Sequence, residues 1–407
     1  MNILHLSTSD RAGGASIAAF RMMEGMNKNG LKSKMLVLSK ISDNPHVVPV
    51  EEFKFKYYKY FLPFKSLINN LIREILLFPV PPFSCGRSNV SGITANPLVR
   101  EADVIYIHWT QTGFLGINDI SAIMGLGKPT ILFLHDMWYL TGGCHHSFDC
   151  DKWKTDCDSC PLIRRGLAKN YSGKILSRKI HNWHKDNVVV VSPSMWLNGC
   201  VMESAVFRGM RSMVIPNMYN DAVFDVLDKQ KARQLMGLPA DKKLLLFGAV
   251  AGSDNPYKGW TYADKLMNMF KDKAELVVFG NVLSTDCYVI HPVGKLTDEC
   301  ALSLLYNAVD VYISPTSAES FGQTLVESIS CGTRVVAFNV GGVPDIVRHK
   351  DNGYLAEPGN LDDFIKGVEW ALGHIDVRER LEMHNNIMNK FSYKVVAELH
   401  RRLISDL

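Results

Sequence analysis

Two glutamates, Glu319 and Glu327, are separated by seven residues in the segment ESFGQTLVESISCGTRVVAFNVGGVPDIV. The segment lies between a predicted strand that ends near Ser314 and a predicted helix that begins after Gly322. A glycine at such a turn lets a ligand approach the backbone, and the first amides of a helix are unpaired donors that favour an anion. We therefore predict a ligand site here, with Glu327 about two helical turns further on and able to reach hydroxyls along the ligand.

Polar and small residues also follow predicted strands in the first half of the chain. His135 ends the run TILFLH, at the edge where open α/β sheets bind ligands, and Asp136 follows it. Alternatively, both residues merely cap the segment that follows. Gly13 and Gly14 come after the first strand, where they would allow a phosphate or an acceptor to approach, although such a pair is also common in a simple turn. His108, at another strand end, is interpreted as a packing residue.

A short polar loop, CHHSFDCDKWKTDCDSCP, contains four of the nine cysteines, namely Cys144, Cys150, Cys157 and Cys160. Four thiolates can complete a tetrahedral zinc shell, and the C-x2-C spacing of the last two lets one turn present both sulfurs to the same ion. The first two are spaced more widely than in usual zinc ribbons, and disulfides or free thiols are the alternatives. We predict a structural rather than a catalytic zinc, because four sulfur ligands leave no open position.

The elements that must position these residues follow one pattern in both halves of the chain. Short apolar runs, typical of strands buried on both faces, alternate with longer amphipathic segments, which indicates βαβ units and parallel sheets. The runs occupy residues 3–7, 35–38, 104–108, 130–135 and 188–192, and then 244–247, 276–279, 311–314 and 335–338. Between the two sets, Pro216 and Asn217 interrupt the periodicity, so we place a domain boundary near Asn217.

The E-x7-E segment resembles the motif of the retaining GT-B glycosyltransferases, in particular the large family 4. The resemblance extends over nearly the whole chain, through RAGGASIAAFRMMEGMNKNG, HDMWYLTGGCHH, VVVVSPSMW, VIPN, NPYKGW and KFSYKVVAELHRRL. It is strongest with bacterial enzymes of capsule, exopolysaccharide and lipopolysaccharide assembly that carry a GGCH segment and a downstream CxxCP. The resemblance implies an α/β GT-B fold of two Rossmann-like, doubly wound domains facing a cleft. An acceptor-binding domain would occupy 1–216, with the Cys-rich loop at 144–160, and a nucleotide-sugar-binding domain 217–391, with a helix at 392–407 returning to the first.

Matched positions carry the roles that the resemblance implies. Glu319 would contact hydroxyls of the donor sugar, Glu327 those of the ribose, and His135 the sugar near its reacting carbon. Lys258, in NPYKGW, would neutralise the negative charge that grows on the diphosphate as it leaves. This electrostatic stabilisation is strongest in a closed cleft from which water is excluded. The family often has an arginine six residues earlier, where this chain has Gly252, so more of that stabilisation falls on Lys258. The remaining donor-binding positions are Gly13, Gly14, Phe321, Gly322 and Gln323.

The implied reaction moves a sugar from a nucleoside-diphosphate sugar to a hydroxyl of a glycan or lipid-linked acceptor in bacterial surface polysaccharide assembly. The acceptor would attack from the face that the diphosphate leaves, so the anomeric configuration is retained and no carboxylate need form a glycosyl intermediate. Domain closure would exclude water and limit hydrolysis of the donor. We expect no catalytic divalent ion.

Composition excludes several other classes. With 47% hydrophobic and 21% charged residues, the chain is neither collagen-like, coiled-coil nor largely disordered. A net charge of +4 is too small for a dedicated nucleic-acid-binding protein. No apolar run approaches the roughly 18 to 20 residues that span a bilayer, and no signal-peptide pattern is present, so we expect a cytoplasmic protein with reduced cysteines.

Basic and aromatic residues interleave in segment 53–83. This mixture suits the anionic inner face of the cell membrane, and an amphipathic helix pair packed on its own domain is the alternative.

Three rival functions account for parts of the pattern. A dinucleotide-dependent dehydrogenase needs G-x-G-x-x-G after a strand, but the first turn supplies only Gly13 and Gly14. A zinc-containing binding module would explain the cysteines but not the E-x7-E segment. A sugar-phosphate epimerase with the same two-domain architecture would differ by requiring no acceptor.

Overall fold

The structure is a computed structural model that describes residues 1–50, 83–163, 170–249, 256–280 and 285–407. Contacts divide the chain into two units. The first unit contains Met1–Pro216 and Val396–Leu407, and the second unit contains Asn217–Val395. The predicted membrane-surface segment lies outside the described residues, apart from Phe83, and so does Gly252.

The first unit is built on a parallel sheet with the strand order β3-β2-β1-β4-β5-β6-β7. Its strands are β1 Ile3–Ser9, β2 Ser33–Ser39, β3 Val47–Pro49, β4 Val104–Ile107, β5 Thr130–Phe133, β6 Val188–Ser192 and β7 Ser212–Val214. Its described helices are α1 Gly14–Lys28, α2 Pro97–Glu101, α3 Ile117–Met124, α4 Tyr171–Trp183 and α5 Met195–Glu203. Because β1, β4 and β5 are neighbours, the segments that leave their carboxyl ends share one edge of the sheet.

The second unit repeats this architecture with the strand order β10-β9-β8-β11-β12-β13, again parallel throughout. Its strands are β8 Leu244–Ala249, β9 Glu275–Gly280, β10 Ile290–Gly294, β11 Val311–Ser314, β12 Arg334–Phe338 and β13 Gly353–Ala356. Its described helices are α6 Lys229–Met236, α7 Trp260–Phe270, α8 Glu299–Ala308, α9 Gln323–Ser330, α10 Leu361–Ala371 and α11 Val377–Phe391. The predicted α/β class and the paired parallel sheets are confirmed.

The continuous apolar runs result from burial on both faces of each sheet. Along β8, Leu244 and Leu246 belong to one core cluster, whereas Leu245 and Phe247 belong to another. Successive side chains of a strand point to opposite faces, so a strand covered on both sides needs apolar residues at every position. Burial of this kind, at about 25 cal/mol per Å² of apolar surface, is the main source of the stability of both units.

The last helix, α12, is Tyr393–Ser405, and its residues from Val396 onward group with the first unit. The hydroxyl of Tyr106 on β4 lies 3.0 Å from Nδ1 of His400, and the Arg401 guanidinium donates to the carbonyl of Asn29. The chain therefore returns to the first unit at its end. Within the described ranges, no helix is long and apolar enough to cross a bilayer.

Candidate functional site

The carboxyl edge of the second sheet brings together two predicted site residues. Strands β8 and β11 are neighbours, so Lys258, which follows β8, and Glu319, which follows β11, come close. The Lys258 Nζ lies 3.7 Å from Glu319 Oε2, and the side chains are 41% and 24% exposed. An ion pair with this exposure contributes about 0 to 1 kcal/mol to stability. Its charges can therefore be redirected to a ligand at little structural cost.

The glycine after Lys258 is required by the way the two loops pack. Gly259 has a φ of +77°, and a Cβ added there would lie 1.8 Å from the carbonyl oxygen of Pro315. The carbonyl of Tyr257 accepts a hydrogen bond from the Thr316 hydroxyl at 2.9 Å. The KG pair thus fixes the turn that carries Lys258 against the loop that leads to Glu319.

A glycine pair on the other side of the site fixes the backbone of Glu319. The amide of Gly342 donates to the Glu319 carbonyl at 2.9 Å, and a Cβ on Gly341, whose φ is +52°, would lie 1.9 Å from the same oxygen. The Glu319 carboxylate also accepts the Phe321 amide, at 3.4 Å. The Phe321 amide, predicted to face the ligand, is therefore engaged by Glu319 in this structure, and the Phe321 side chain is buried.

Helix α9 begins at this turn and presents a further donor. Gly322, with a φ of +109°, precedes the helix and supplies no side-chain cap. The side-chain nitrogen of Gln323 is buried and has no hydrogen-bond partner among the described residues. A buried amide donor without a partner is costly unless a ligand supplies the acceptor. Gln323 and the start of α9 therefore form a polar rim beside Glu319.

Glu327 lies deeper in α9 than its predicted role requires. Its side chain is buried, with 4% of the residue exposed, and its Oε2 accepts the Tyr306 hydroxyl at 3.1 Å. Both Glu319 and Glu327 act on Tyr312, whose pKa is raised first by burial and then by their charges. The two carboxylates of the E-x7-E motif therefore lie within electrostatic reach of one tyrosine. The ribose contact of Glu327 stays a prediction.

In the first unit, three imidazoles form a continuous hydrogen-bonded chain, which we call the histidine chain. The Nδ1 atom of His5 lies 2.9 Å from Nε2 of His108, and Nδ1 of His108 lies 3.0 Å from Nε2 of His135. His5 and His108 are buried on β1 and directly after β4, whereas His135 follows β5 and is partly exposed. His108 is thus more than the packing residue expected from sequence, because it contacts the predicted site histidine.

The buried end of the histidine chain selects one arrangement of protons. Burial, and next the charge of His400, lowers the pKa of His5 to about 3, and burial lowers the pKa of His135 to about 4, so both rings are neutral near pH 7. The Nε2 of His5 is buried without a partner in the described part of the chain. Unpaired buried N–H groups are rarer than unpaired acceptors, which favours a proton on Nδ1 of His5.

The proton on His5 determines the others, since each neutral imidazole has one donor and one acceptor. His5 Nδ1 donates to His108 Nε2, and His108 Nδ1 then donates to His135 Nε2. The proton of His135 therefore lies on Nδ1. Within the described ranges, this nitrogen takes part in no hydrogen bond. His135 thus has a fixed N–H donor at the carboxyl edge of the first sheet.

Asp136 is part of a separate buried cluster. Its Oδ2 accepts from the Trp109 indole at 2.9 Å and contacts His145 Nδ1 at 2.5 Å, while Oδ1 accepts the Trp138 amide at 2.8 Å. Burial opposes ionisation, but the charge and hydrogen bond of His145 keep the pKa of Asp136 below its ordinary value. Asp136 therefore orders the loop after β5, and the histidine of GGCH is its partner, a pairing that sequence reasoning missed.

The turn after β1 is open. Gly13 has a φ of +90° and precedes α1, and a Cβ built on Gly13 or Gly14 meets no atom of the described residues within 4 Å. The role of this turn in binding a phosphate or an acceptor stays a prediction. Gly13, Gly14 and His135 lie at the carboxyl edge of one sheet, whereas Lys258, Glu319 and the α9 residues lie at that of the other.

The four clustered cysteines line one small cavity of about 20 Å³ in the first unit. Cys157 is buried and the other three are partly buried, and none forms a disulfide. In the described part of the chain, no three His, Cys, Asp or Glu side chains have the arrangement of a metal site. The thiols thus converge on a shared space without forming a coordination shell.

Comparison with known proteins identifies the second unit. Residues 228–386 match the sequence model of the family "Glycosyl transferases group 1". This segment of the second unit is therefore similar to the group 1 glycosyltransferases. An uncharacterized glycosyltransferase of Methanocaldococcus jannaschii is 27% identical over 335 residues, which cover 76% of this chain and 84% of that protein. Escherichia coli WcaC, named for colanic acid biosynthesis, is 22% identical over 275 residues, which cover 65% of each chain.

Solved glycosyltransferases share the fold over the full length. Sucrose-phosphate synthase of Thermosynechococcus elongatus superposes with a TM-score of 0.63 at 15% identity, covering 100% of both chains. Anabaena HepE, crystallised with UDP and glucose, has a TM-score of 0.63 at 16% identity and covers 100% of this chain and 99% of that one. At such identities the likeness shows the fold alone, which is GT-B. The segment that matches the group 1 model therefore lies in a chain of two units with the GT-B fold.

Proposed function

We propose that this glycosyltransferase transfers a sugar from a nucleoside-diphosphate sugar to a hydroxyl of a glycan or lipid-linked acceptor, with retention, in bacterial surface polysaccharide assembly. The observation that carries the proposal is the Lys258–Glu319 pair, 3.7 Å apart at the carboxyl edge of the second sheet. A cation that can meet a diphosphate and a carboxylate that can meet sugar hydroxyls stand side by side. This is the pair of functions that a nucleotide-sugar donor requires.

Each group has a physical role in this reaction. Lys258 turns from Glu319 to the diphosphate and stabilises the negative charge that grows as the bond to the sugar breaks. Glu319 then accepts hydrogen bonds from the sugar, and the partnerless amide of Gln323 donates to the ligand. Glu327 reaches the ribose after its bond to Tyr306 is exchanged. No divalent ion takes part in the transfer.

The first unit contributes the acceptor side. The Nδ1–H of His135 donates to an oxygen of the sugar near the reacting carbon, and Gly13 and Gly14 leave room for the acceptor or the donor phosphates. The acceptor hydroxyl attacks from the face that the diphosphate leaves, through an oxocarbenium-like state. His135 is neutral when it does so, because burial lowers its pKa to about 4.

Similar proteins support the chemical class. Anabaena HepE was crystallised with UDP-glucose, WcaC is named for colanic acid biosynthesis, and WaaG, of the same fold, is involved in lipopolysaccharide biosynthesis. The family match of residues 228–386 favours transfer over the dehydrogenase, epimerase and binding-module alternatives.

Thermal unfolding of the purified protein against UDP, GDP, ADP and NAD tests the donor class. A ligand at 100 times its Kd stabilises the folded state by about 2.7 kcal/mol, which gives a measurable rise in midpoint. We expect a shift with one nucleoside diphosphate and none with NAD. A shift with NAD alone would support the dehydrogenase alternative, and no shift with any nucleotide would contradict the proposal.

Two matched pairs of variants then test the site. Lys258→Ala and Glu319→Gln should abolish transfer to an acceptor extract while leaving the unfolding midpoint near the wild-type value. Lys271→Ala and Glu382→Gln, at exposed positions of the same unit, should retain activity. Near-normal transfer by Lys258→Ala or Glu319→Gln would contradict the assignment of that residue to the donor site.

A further inference from the structure

We propose that Cys144, Cys150, Cys157 and Cys160 bind one structural zinc ion in the first unit. The loop is unrelated to the transfer site of the second unit, and no part of the proposed transfer uses its thiols. The inference therefore stands or falls independently of the glycosyltransferase activity.

The first support is that the four thiols share one cavity of the size of an ion. All four line a space of about 20 Å³. A cavity needs about 10 to 15 Å³ to hold one water molecule, so this cavity has room for one occupant of that size. Coordination would bring each sulfur to about 2.3 Å from the ion, which requires the side chains to close inward from their present positions.

The backbone around the cavity is already organised for sulfur ligands. The amide of Gly142 donates to Sγ of Cys157 at 3.2 Å, which orients this sulfur in the wall of the cavity. The Ser172 hydroxyl donates to the Cys157 carbonyl at 2.6 Å, and the Thr141 hydroxyl donates to the Cys144 carbonyl at 2.6 Å. These bonds fix the backbone of Cys144, at the start of the loop, and of Cys157, near its end.

A buried cation beside the loop supplies the second, independent support. Lys179, fully buried on α4, donates to the carbonyls of Trp138 and Thr141 and lies 3.7 Å from the centre of the Trp138 ring. It forms no ion pair with a carboxylate of the described residues. Burial lowers the pKa of Lys179 to about 7, while the nearby Cys157, Cys144 and Asp136 raise it. Further anions beside a buried ammonium stabilise its charged form, and neutral thiols do not.

Zinc binding accounts for both the cavity that the four thiols share and the buried ammonium of Lys179. The ion displaces the four thiol protons, which pass to solvent, and four thiolates around Zn²⁺ carry a net charge of two minus. That charge faces Lys179 and compensates it. A catalytic role is excluded by the ligand number, because four sulfurs leave no position for water or substrate.

Metal analysis of the intact protein, purified without chelator from zinc-supplemented cells, tests the proposal. We expect one zinc ion per chain in the wild type, and a loss of at least ten-fold in Cys157→Ser and in Cys144→Ser. Cys287→Ser is the matched control, because Cys287 is exposed and lies in the second unit. Zinc-free wild type, or equal zinc in Cys157→Ser and wild type, would overturn the proposal.

A second measurement does not depend on variants that fold poorly. Native wild-type protein is alkylated before and after treatment with a chelator, and the modified cysteines are mapped by mass spectrometry. We expect the four loop cysteines to be protected by the metal and modified after its removal, with a fall in the unfolding midpoint. Modification of all four in the metal-replete protein, or their recovery as disulfides, would refute the site.

Discussion

Replacing His108 by Phe tests whether the histidine chain fixes the proton of His135. The ring fills nearly the same space as the imidazole, but it can neither accept from His5 nor donate to His135. The two hydrogen bonds that it removes are 2.9 and 3.0 Å long and belong to a fully buried side chain. The variant thus separates hydrogen bonding from packing at this position.

The expected cost follows from the groups left behind. A buried polar group without a partner costs about 1 to 3 kcal/mol, and the variant leaves His5 Nδ1 and His135 Nε2 unpaired, so we expect a loss of about 2 to 6 kcal/mol in unfolding free energy. Without the donor from His108, nothing keeps the His135 proton on Nδ1. If that proton donates one neutral hydrogen bond of about 1 kcal/mol to the donor sugar, kcat/KM falls about five-fold.

The tautomer can be observed directly with protein labelled with ¹⁵N only at histidine. Long-range proton–nitrogen correlations distinguish protonated from unprotonated ring nitrogens, and His135→Gln identifies the signals of His135. In the wild type at pH 7 we expect the proton on Nδ1 of His135. In His108→Phe we expect a mixture of tautomers or exchange broadening.

Tyr106→Phe is the matched control. It also removes a buried hydrogen bond from β4, the 3.0 Å contact with His400, but it keeps the ring that stacks on His5 at 4.9 Å and removes no hydrogen bond of the histidine chain. It should cost about 1 kcal/mol of stability and leave the His135 tautomer unchanged. A wild-type proton on Nε2 of His135, or an unaltered pattern in His108→Phe, would refute the reasoning.

Three further outcomes follow from the structure. Gly259→Ala should destabilise the second unit by about 2 kcal/mol more than Gly237→Ala in chemical denaturation, because both have positive φ but only the first places a Cβ against a carbonyl; equal losses would contradict this. Asp310→Ala should cost about 3 to 5 kcal/mol in the same assay, since it leaves the buried Arg233 guanidinium, now 2.8 Å from that carboxylate, without its partner. The contribution of the buried histidines to the unfolding free energy should be constant above about pH 6.5 and fall below it by up to about 1.4 kcal/mol per pH unit for each ring, because these rings protonate only on unfolding; a flat profile from pH 7 to 5 would contradict their burial. Those histidines are His5, His108, His135 and His400.

Strand prediction succeeded where burial is complete and failed where it is partial. The nine predicted strands are all present, and they occupy the central positions of the two sheets. The four additional strands, β3, β7, β10 and β13, are the edges of those sheets. An edge strand is covered on fewer sides, and each of these four contains a residue that interrupts an apolar run, namely Pro49, Ser212, His291 and Gly353. Hydrophobic periodicity therefore detects the central strands and misses these edges.

Proximity along the chain was sufficient for part of the site. The turn at Gly322 and the helix after it could be placed from sequence, because each depends on residues within a few positions, whereas Gly259 and Gly341 pack against the carbonyls of Pro315 and Glu319, which are remote in sequence. The backbone angles of these glycines explain the residue types. The ion pair between Lys258 and Glu319 joins segments 61 positions apart, and it exists because β8 and β11 are neighbours.

The sequence by itself determined the α/β class, the parallel sheets and the residues that end their central strands, since these follow from local patterns of burial and turn formation. Only the tertiary structure decided which polar side chains meet. His5, His108 and His135 come from three strands and become one chain because those strands are adjacent in the sheet. Likewise, Asp136 became a structural residue through His145 and Trp109, and Lys179 came to lie beside the cysteine loop. Such contacts depend on distances between segments remote in sequence, which residue spacing does not encode.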